Sequence, residues 1–268
     1  MPMERLLMLE LASGGCAAEA QLNGMPVASL GSAGGSVGLA VHEYTLAGRN
    51  QLSLVIAPSP PGTTVPSQPR VAIGATWARA RLVLVSQGQS PVDPGARVLG
   101  VVEWGAAEGR SYDAPSTHGR EVELPVSFPR WRWLDAPVIA VDATLQRQVL
   151  EFVQQLAVEL GRGNPEPLIA AAKLRFDELA LAYQTDAAAA VQRVREHVQR
   201  LYAAKALKIH PPVAADLVLR PVLEGRLVEC LAATGGPVLR TQNEAPELGE
   251  HAWPLRPAVV EGRIYVLR

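Results

Sequence analysis

Residues 38–58, GLAVHEYTLAGRNQLSLVIAP, decide the class of fold. In the second half of this stretch, three apolar residues alternate with smaller or polar neighbours: Leu52, Leu54 and Ile56. Alternation with a period of two is the pattern of a strand that buries one face. Before it, Gly48 can take a positive φ and Asn50 can bond its own backbone, as turns require. The stretch predicts strand, turn and strand, and it indicates no chemistry.

The sequence before this stretch predicts one more strand and a hairpin. Residues 3–12 form the first strand, in which Leu7, Leu9 and Leu11 share one face. Residues 18–30, AEAQLNGMPVASL, contain Asn23-Gly24, the dipeptide that best fits a two-residue type I′ turn because both positions need positive φ. A glycine-rich loop at residues 31–36 then leads into the central stretch.

The sequence after it continues the β pattern up to about residue 135. Residues 58–69 are rich in proline and serine, which predicts a loop. Strands are predicted at 77–86, 97–104 and 119–126, with Val122, Leu124 and Val126 facing inward. About eight short strands without a helical period predict an antiparallel β-sandwich domain over residues 1–135.

This pattern resembles a known family of sandwich modules. AEAQLNGMPVASL, a glycine loop and VHEYTLAGRNQLSLVI together resemble the galactose-binding-like jelly roll found in bacterial glycosidases. The resemblance covers residues 3–58 and implies a jelly-roll-like sandwich. It carries over no ligand residue, because such modules bind through variable loops and many are purely structural.

The hydrophobic period changes near Pro137, which predicts a second, α+β domain over residues 136–268. Three helices are expected, with Asp142 and Asp186 as N-caps of the first and third and Pro165 at the start of the second. The apolar line of the second helix runs Ile169, Ala172, Phe176, Leu179 and Tyr183. An antiparallel β-meander follows at 217–222, 226–232, 238–241 and 259–267. This order is similar to the nuclear-transport-factor-2-like superfamily, although that family interleaves strands and helices.

Composition narrows the classes of partner. The net charge of −1 predicts neither a nucleic-acid nor a membrane partner, and no apolar run approaches a bilayer span. Only three of the 25 basic residues are lysine, which indicates a GC-rich, bacterial genome or selection for arginine bonding. Cys16 and Cys230 are expected to be reduced, structural thiols. The N-terminus fits no signal peptide because Glu4 and Glu10 interrupt it, so a cytoplasmic protein is expected.

A search for catalytic and cofactor motifs yields little. No phosphate-binding glycine loop, metalloprotease helix or nucleophile elbow occurs, and the five histidines are scattered. The sequence therefore predicts no cofactor, no metal and no catalytic residue. Glu103 is the one acid in an apolar setting, and Asp177-Glu178 is interpreted as a solvated helix edge. Because carboxylate pairs meet only in space, an enzyme with a pocket in the C-terminal domain stays open.

The candidate binding residues are aromatic and basic. Three of the five tryptophans have arginine neighbours, and this combination is typical of interface hot spots and sugar platforms. The candidates are Trp77, Arg79, Trp131 and Trp133. For Trp131 and Trp133, on one face of a strand, the favoured interpretation is that they pack the domains together, with ligand binding as the alternative. The favoured hypothesis is a non-enzymatic interaction protein with a protein partner; the alternative is carbohydrate binding through the sandwich loops.

Overall fold

In the computed structural model, the chain is described over residues 5–124, 128–242 and 250–268. The described residues form fourteen strands, all in antiparallel pairs, and four α-helices. Contacts divide the chain into two compact units, Met1–Arg130 and Trp131–Arg268. In the described part, none of the helices is both long enough and apolar enough to span a bilayer.

The first unit contains ten strands in two four-stranded sheets and one two-stranded ribbon. The sheets have the orders β4-β1-β7-β8 and β10-β5-β2-β3, and β6 pairs with β9. The strands are β1 Arg5–Gly14, β2 Ala18–Leu22, β3 Met25–Leu30, β4 Gly35–Ala40, β5 Gly48–Ile56, β6 Gln68–Val71, β7 Thr76–Ser86, β8 Arg97–Ala106, β9 Ser111–Ala114 and β10 Ser116–Leu124.

One hydrophobic core is shared by the two four-stranded sheets. It takes alternate residues from each sheet, as the period-2 pattern predicts. The first sheet contributes Leu7, Leu9, Leu11, Ala80 and Leu82, and the second contributes Leu22, Leu52, Leu54, Ile56 and Val122. Val122 and Leu124 are buried as expected, whereas Val126 lies outside the described residues.

The central stretch differs from the prediction in one respect. Its two strands, β4 and β5, lie in different sheets, so the turn between them does not make a hairpin. A short 3-10 helix, His42–Tyr44, occupies part of the connection. Nϵ2 of buried His42 accepts a hydrogen bond from Leu7 N at 2.7 Å. The chain therefore crosses from one sheet to the other. Alternation along a strand shows which face is buried, but it does not determine which sheet the strand joins.

The Asn23-Gly24 hairpin is confirmed. β2 and β3 pair across a two-residue turn, with φ of 55° at Asn23 and 78° at Gly24. Asn23 Nδ2 donates to Asn50 Oδ1 and to the carbonyl of Tyr44, each at 2.8 Å. Its Oδ1 accepts from Gln51 N at 2.8 Å. Two turn asparagines therefore connect the hairpin to the start of β5.

Two short strands were missed by the sequence argument. β6 lies at the end of the expected proline-rich loop, and it pairs with β9, which the sequence also left unassigned. Both are four residues long, and β6 contains Pro69, which cannot donate to a ladder. Elements of this length and composition give no clear alternation to detect.

The second unit begins with a long helix that matches the prediction. Helix α1, Ala143–Gly161, starts at Asp142, whose Oδ1 accepts from Leu145 N at 2.8 Å. Its buried residues follow the helical period: Leu145, Val149, Val153, Leu156, Ala157 and Leu160. Helix α4, Ala187–Ala203, likewise starts at Asp186, whose carboxylate accepts from Ala188 N.

The predicted second helix is two helices. α2, Glu166–Ala171, and α3, Lys173–Tyr183, are separated at Ala172, where φ is −97° and ψ is 9°. The expected apolar line is only partly right past this break: Phe176 packs against the core, but the residues that α3 buries fully are Glu178 and Ala182. Neither glycine nor proline marks the break, so local propensity gives no warning of it.

The strands that follow form two separate ladders and not one meander. β11, Leu217–Val222, pairs with β12, Leu227–Ala232, while β13, Pro257–Val260, pairs with β14, Arg263–Val266. The strand predicted at 238–241 is absent from the described structure, which has only isolated bridges there, at Pro237 and Arg240. The helices and both ladders share one core, which includes Val149, Leu156, Val198, Leu219, Val228 and Val266.

Candidate functional site

The outer face of β7 carries two of the residues that the sequence singles out. Trp77, Arg79 and Arg81 alternate along the strand and so project from the same face. On the neighbouring β1, the residues in register with these three are Gly14, Ala12 and Glu10. Side chains at these positions of β1 point to the same side as their partners in β7. The face therefore combines one indole, two guanidinium groups and one carboxylate.

Trp77 lies against a glycine and is open to solvent. Trp77 is 42% exposed. A β-carbon at Gly14 would lie 2.7 Å from indole Nϵ1 and 3.2 Å from Cϵ2, closer than such contacts normally come. The five-membered ring thus occupies the space that a side chain at position 14 would need. Gly105 is its partner on β8, so no side chain flanks the indole on either neighbouring strand at this register.

The charged groups beside Trp77 are held unequally. Glu10 is buried, and its Oε2 accepts from Nη1 of Arg81 at 3.0 Å. Nη2 of Arg79 is 3.8 Å from Oε1 of the same carboxylate, and 38% of the Arg79 side chain is exposed. Glu103, which is exposed, faces Arg79 across the β7–β8 ladder. Arg81 is therefore committed to Glu10, while Arg79 keeps donors that an external acceptor can use.

The segment just before β7 also carries exposed apolar side chains. Val71 is 63% exposed and Ile73 is 91% exposed. With Trp77, three large apolar side chains are exposed within seven residues. A single exposed apolar residue is ordinary, whereas a concentration of them indicates an interaction surface.

Trp131 and Trp133, the other two candidates, lie in the second unit and are buried, at 0% and 1% exposure. They are not on a strand, because residues Arg132–Leu134 form a 3-10 helix. The guanidinium carbon of Arg268 lies 5.7 Å from the ring centroid of Trp131 and 6.0 Å from that of Trp133. Both distances are within the range of cation–π attraction. Neither indole has surface to offer a ligand, so the four candidates do not make one site.

A buried carboxylate completes the tryptophan cluster. Glu178, on α3, is 4% exposed, which contradicts its interpretation as a solvated edge. Its Oε2 accepts from Nη1 of Arg268 at 2.6 Å, and its Oε1 accepts from Arg132 N at 2.6 Å. A buried ion pair is tolerated when further hydrogen bonds satisfy its oxygens, as they do here. The cluster therefore links three parts of the second unit: its first residues, helix α3 and the residues that follow β14.

A cleft of ≈ 540 Å³ lies in the second unit. The Gln242 amide nitrogen contacts Nδ1 of His210 at 2.7 Å, and Arg240 contacts Thr234 at 3.2 Å and Glu250 at 3.6 Å. The hydroxyl of Thr241, which lines the cleft, accepts a hydrogen bond from the backbone N–H of His251 at 3.0 Å and lies 3.4 Å from the His251 carbonyl oxygen. These bonds tie the hydroxyl to backbone groups, whereas covalent catalysis pairs a hydroxyl with the side chain of a base.

The remaining reactive groups are far apart, or burial makes them less reactive. Cys16 and Cys230 are buried free thiols, and burial raises the pKa of both. Burial, with the charges of His251 and Arg200, lowers the pKa of His197, whose ring centroid is 5.1 Å from that of His251. Within residues 5–124, 128–242 and 250–268, no three histidine, cysteine or acidic side chains converge as a metal site requires.

No family model, curated protein or solved structure matches this chain.

The sequence indicates the exposed Trp77, but it does not indicate Glu178 and Arg268, which lie beside the buried tryptophans. The Trp77-x-Arg79 pattern carried a usable signal, because strand alternation puts both on one face. Glu178 and Arg268 carried none, since their burial depends on the break at Ala172 and on contacts more than 40 residues apart in sequence. Glu103, also considered from sequence, is exposed and lies opposite Arg79.

Proposed function

We propose that this chain is a non-enzymatic interaction protein whose binding surface is the Trp77 face, defined here as Trp77 and Arg79 together with Val71 and Ile73, two exposed residues that precede Trp77 closely in sequence. The observation that carries the proposal is the exposed indole laid over Gly14 beside an incompletely paired guanidinium. We propose a bacterial cytoplasm as its setting, on the arginine-rich composition and two cysteines that form no disulfide.

The energetics of association favour a protein partner. Tryptophan and arginine dominate interface hot spots because they bury a large apolar area and still offer directional donors. Val71 and Ile73 would add apolar area at the edge of that contact, at about 25 cal/mol per Å² buried. In the free protein Val71 is 63% and Ile73 is 91% exposed, so a partner gains the desolvation of that exposed area.

The fold supports a finer proposal for the first unit. We infer a galactose-binding-like jelly roll from the two four-stranded sheets and the bonds between the turn residues Asn23 and Asn50. The second unit gives no comparable support for a nuclear-transport-factor-2-like fold, because its strands make two separate two-stranded ladders.

Carbohydrate binding is the second candidate, and one observation favours it. The indole of Trp77 has no flanking side chain at its register, so one ring face is accessible to a flat apolar sugar face. Arg79 and Glu103 beside it can bond hydroxyl groups. This site would lie on a sheet face and not in the sandwich loops. An enzymatic role for the cleft has no such observation in its favour.

The test is a capture experiment with matched surface variants. Tagged wild type, Trp77→Ala and Val98→Ala are used to capture proteins from cells of the native host, and co-purifying proteins are identified by mass spectrometry. Val98 is the control, because it is 44% exposed on β8 of the same sheet. The most enriched protein is then purified and its affinity measured by calorimetry.

We expect Trp77→Ala to weaken binding at least about tenfold, or ~1.4 kcal/mol, and Val98→Ala to change it little. Equal affinity of the two variants would contradict the proposal. A glycan array probed with the same three proteins separates the second candidate. Saturable, Trp77-dependent binding of a glycan, without a captured protein, would favour carbohydrate binding.

A further inference from the structure

Strand β4 forms an open edge of the first unit. It is the terminal strand of the sheet ordered β4-β1-β7-β8, and no other strand of the described residues pairs with its outer side. Residues 35–38 are all exposed. Its sequence, GSVGLA, contains no charged residue and no proline. An edge with these properties offers free backbone groups to another strand.

The register identifies which groups are free. Val41 N donates to Leu7 O at 3.0 Å, and this bond continues the register that pairs Met8 with Ala40. Leu7–Val41 is therefore a hydrogen-bonded position of the antiparallel ladder, although the N–H of Leu7 itself donates to His42. Hydrogen-bonded and non-bonded pairs alternate along such a ladder. The outward N–H and C=O groups therefore belong to three small residues: Ser36, Gly38 and Ala40. They offer three donors and three acceptors along one line.

The other edges of the two four-stranded sheets are protected, and β4 is not. β3 contains Pro26, and β8 carries Arg97 and Glu103. β10 carries Arg120, Glu121 and Glu123. Proline and charged side chains are the usual means by which proteins prevent strand addition at an edge. The absence of both from β4 distinguishes it within the same molecule.

We propose that the β4 edge binds an extended segment of another protein, which adds to the sheet as a further strand. This goes beyond the Trp77 face and does not depend on it. A second copy of this chain is the poorer occupant. The strand of six residues spans roughly 20 Å and the spacing to an added strand is about 5 Å, so pairing edges alone gives far less than the ~800 Å² per partner of a stable interface.

The faces of β4 define the chemistry of the segment. Val37 and Leu39 point to the same side as the core residues Leu9 and Leu11, so an added strand needs apolar side chains at alternate positions there. On the other side, a β-carbon at Gly38 would lie 3.3 Å from Cγ of Pro91. That crowding favours small residues between the apolar ones. The expected ligand is an extended segment that alternates apolar with small, uncharged residues.

The test is selection from a displayed library of random heptapeptides on the purified full-length chain. The most enriched peptide is synthesised and its binding measured to wild type and four variants. Ser36→Pro removes an outward donor without touching a bond to β1, and Ser36→Lys adds the charge that other edges carry. Ser36→Ala keeps the backbone groups and is the control. Trp77→Ala separates this site from the Trp77 face.

We expect enriched peptides to alternate apolar and small residues, and to slow amide exchange of Ser36, Gly38 and Ala40 at least tenfold. Ser36→Pro and Ser36→Lys should each weaken binding at least tenfold, while Ser36→Ala and Trp77→Ala should not. Enriched peptides without alternation, or equal binding to Ser36→Lys, would overturn the proposal. A monomer–dimer equilibrium in analytical ultracentrifugation that Ser36→Lys abolishes would also overturn it, in favour of a second copy.

Discussion

Among single residues, Glu178 shows most clearly how burial changes the meaning of a charge. Its carboxylate accepts from a backbone N–H of Arg132 and from the guanidinium of Arg268, with two indoles beside that guanidinium. Either the carboxylate or the guanidinium alone would destabilise the folded state in this environment, because an unpaired buried charge loses its hydration. Together they bridge segments at residues 132, 178 and 268. The cluster is therefore a structural connection of the second unit.

Replacing this carboxylate tests the connection. Glu178→Gln keeps the shape of the side chain but removes the carboxylate charge that pairs with buried Arg268. Breaking one side of a buried pair costs about 3–5 kcal/mol, so we expect a loss of that order in a denaturant titration. Asp177→Asn, on the same helix but without this pairing, should stay within about 0.5 kcal/mol. Similar midpoints for Glu178→Gln and wild type would show that the pair contributes little.

The buried indoles can be compared with the exposed one. Trp131→Ala and Trp133→Ala each remove a large, fully buried side chain, and we expect each to lower the free energy of unfolding by about 3–5 kcal/mol. Trp77→Ala is the matched control, and its cost should be smaller, about 2 kcal/mol, because Trp77 is 42% exposed and buries less apolar area on folding. Unfolding followed by circular dichroism measures all three. Wild-type stability in Trp131→Ala and Trp133→Ala would reopen that segment as a binding site.

Among elements, the Asn23-Gly24 hairpin makes a prediction of its own. Gly24 has φ of 78°, which strains a β-branched residue. Gly24→Val should therefore destabilise the protein by roughly 1–3 kcal/mol. Gly31→Val is the control, since Gly31 has no positive φ and a β-carbon there meets nothing within 4 Å. Thermal melts compare the two, and equal losses would mean that backbone strain is not the cause.

The elements also show what a single sequence can and cannot predict here. Leu52, Leu54 and Ile56 alternate because their strand has one buried face, and Asp142 is readable as a helix start because its side chain caps locally. The assignment of β4 and β5 to different sheets is not local, since both sheets accept the same alternation. The break at Ala172 has no glycine or proline to mark it in the sequence, and α3 after it buries a different face from the predicted one. The candidate site follows the same rule: the arginine neighbours of Trp77 are visible in the sequence, whereas the partners that bury Glu178 are distant in sequence.

For the molecule as a whole, the two hydrophobic cores are separate sets of residues, one within Met1–Arg130 and one within Trp131–Arg268. Each set has its own apolar pattern and its own ladders. Such units can fold independently when they are expressed alone. The change of hydrophobic period predicts a division near residue 135, whereas the contacts divide the chain between Arg130 and Trp131. The difference of a few residues decides which fragment keeps the two buried indoles.

We therefore expect a fragment of residues 131–268 to fold cooperatively and a fragment of residues 140–268 to be much less stable. The shorter fragment lacks Trp131 and Trp133 and the backbone donor of Arg132, so Glu178 and Arg268 lose the shell that surrounds them. Losing even one buried tryptophan costs about 3–5 kcal/mol, a large part of the 5–15 kcal/mol that stabilises most domains. Denaturant titration and amide-proton dispersion would measure this for both fragments, with residues 1–130 as a third sample. Equal stability of the two C-terminal fragments would show that the tryptophan segment is not part of that core. Unfolded spectra for all three fragments would mean that the chain folds as one cooperative unit.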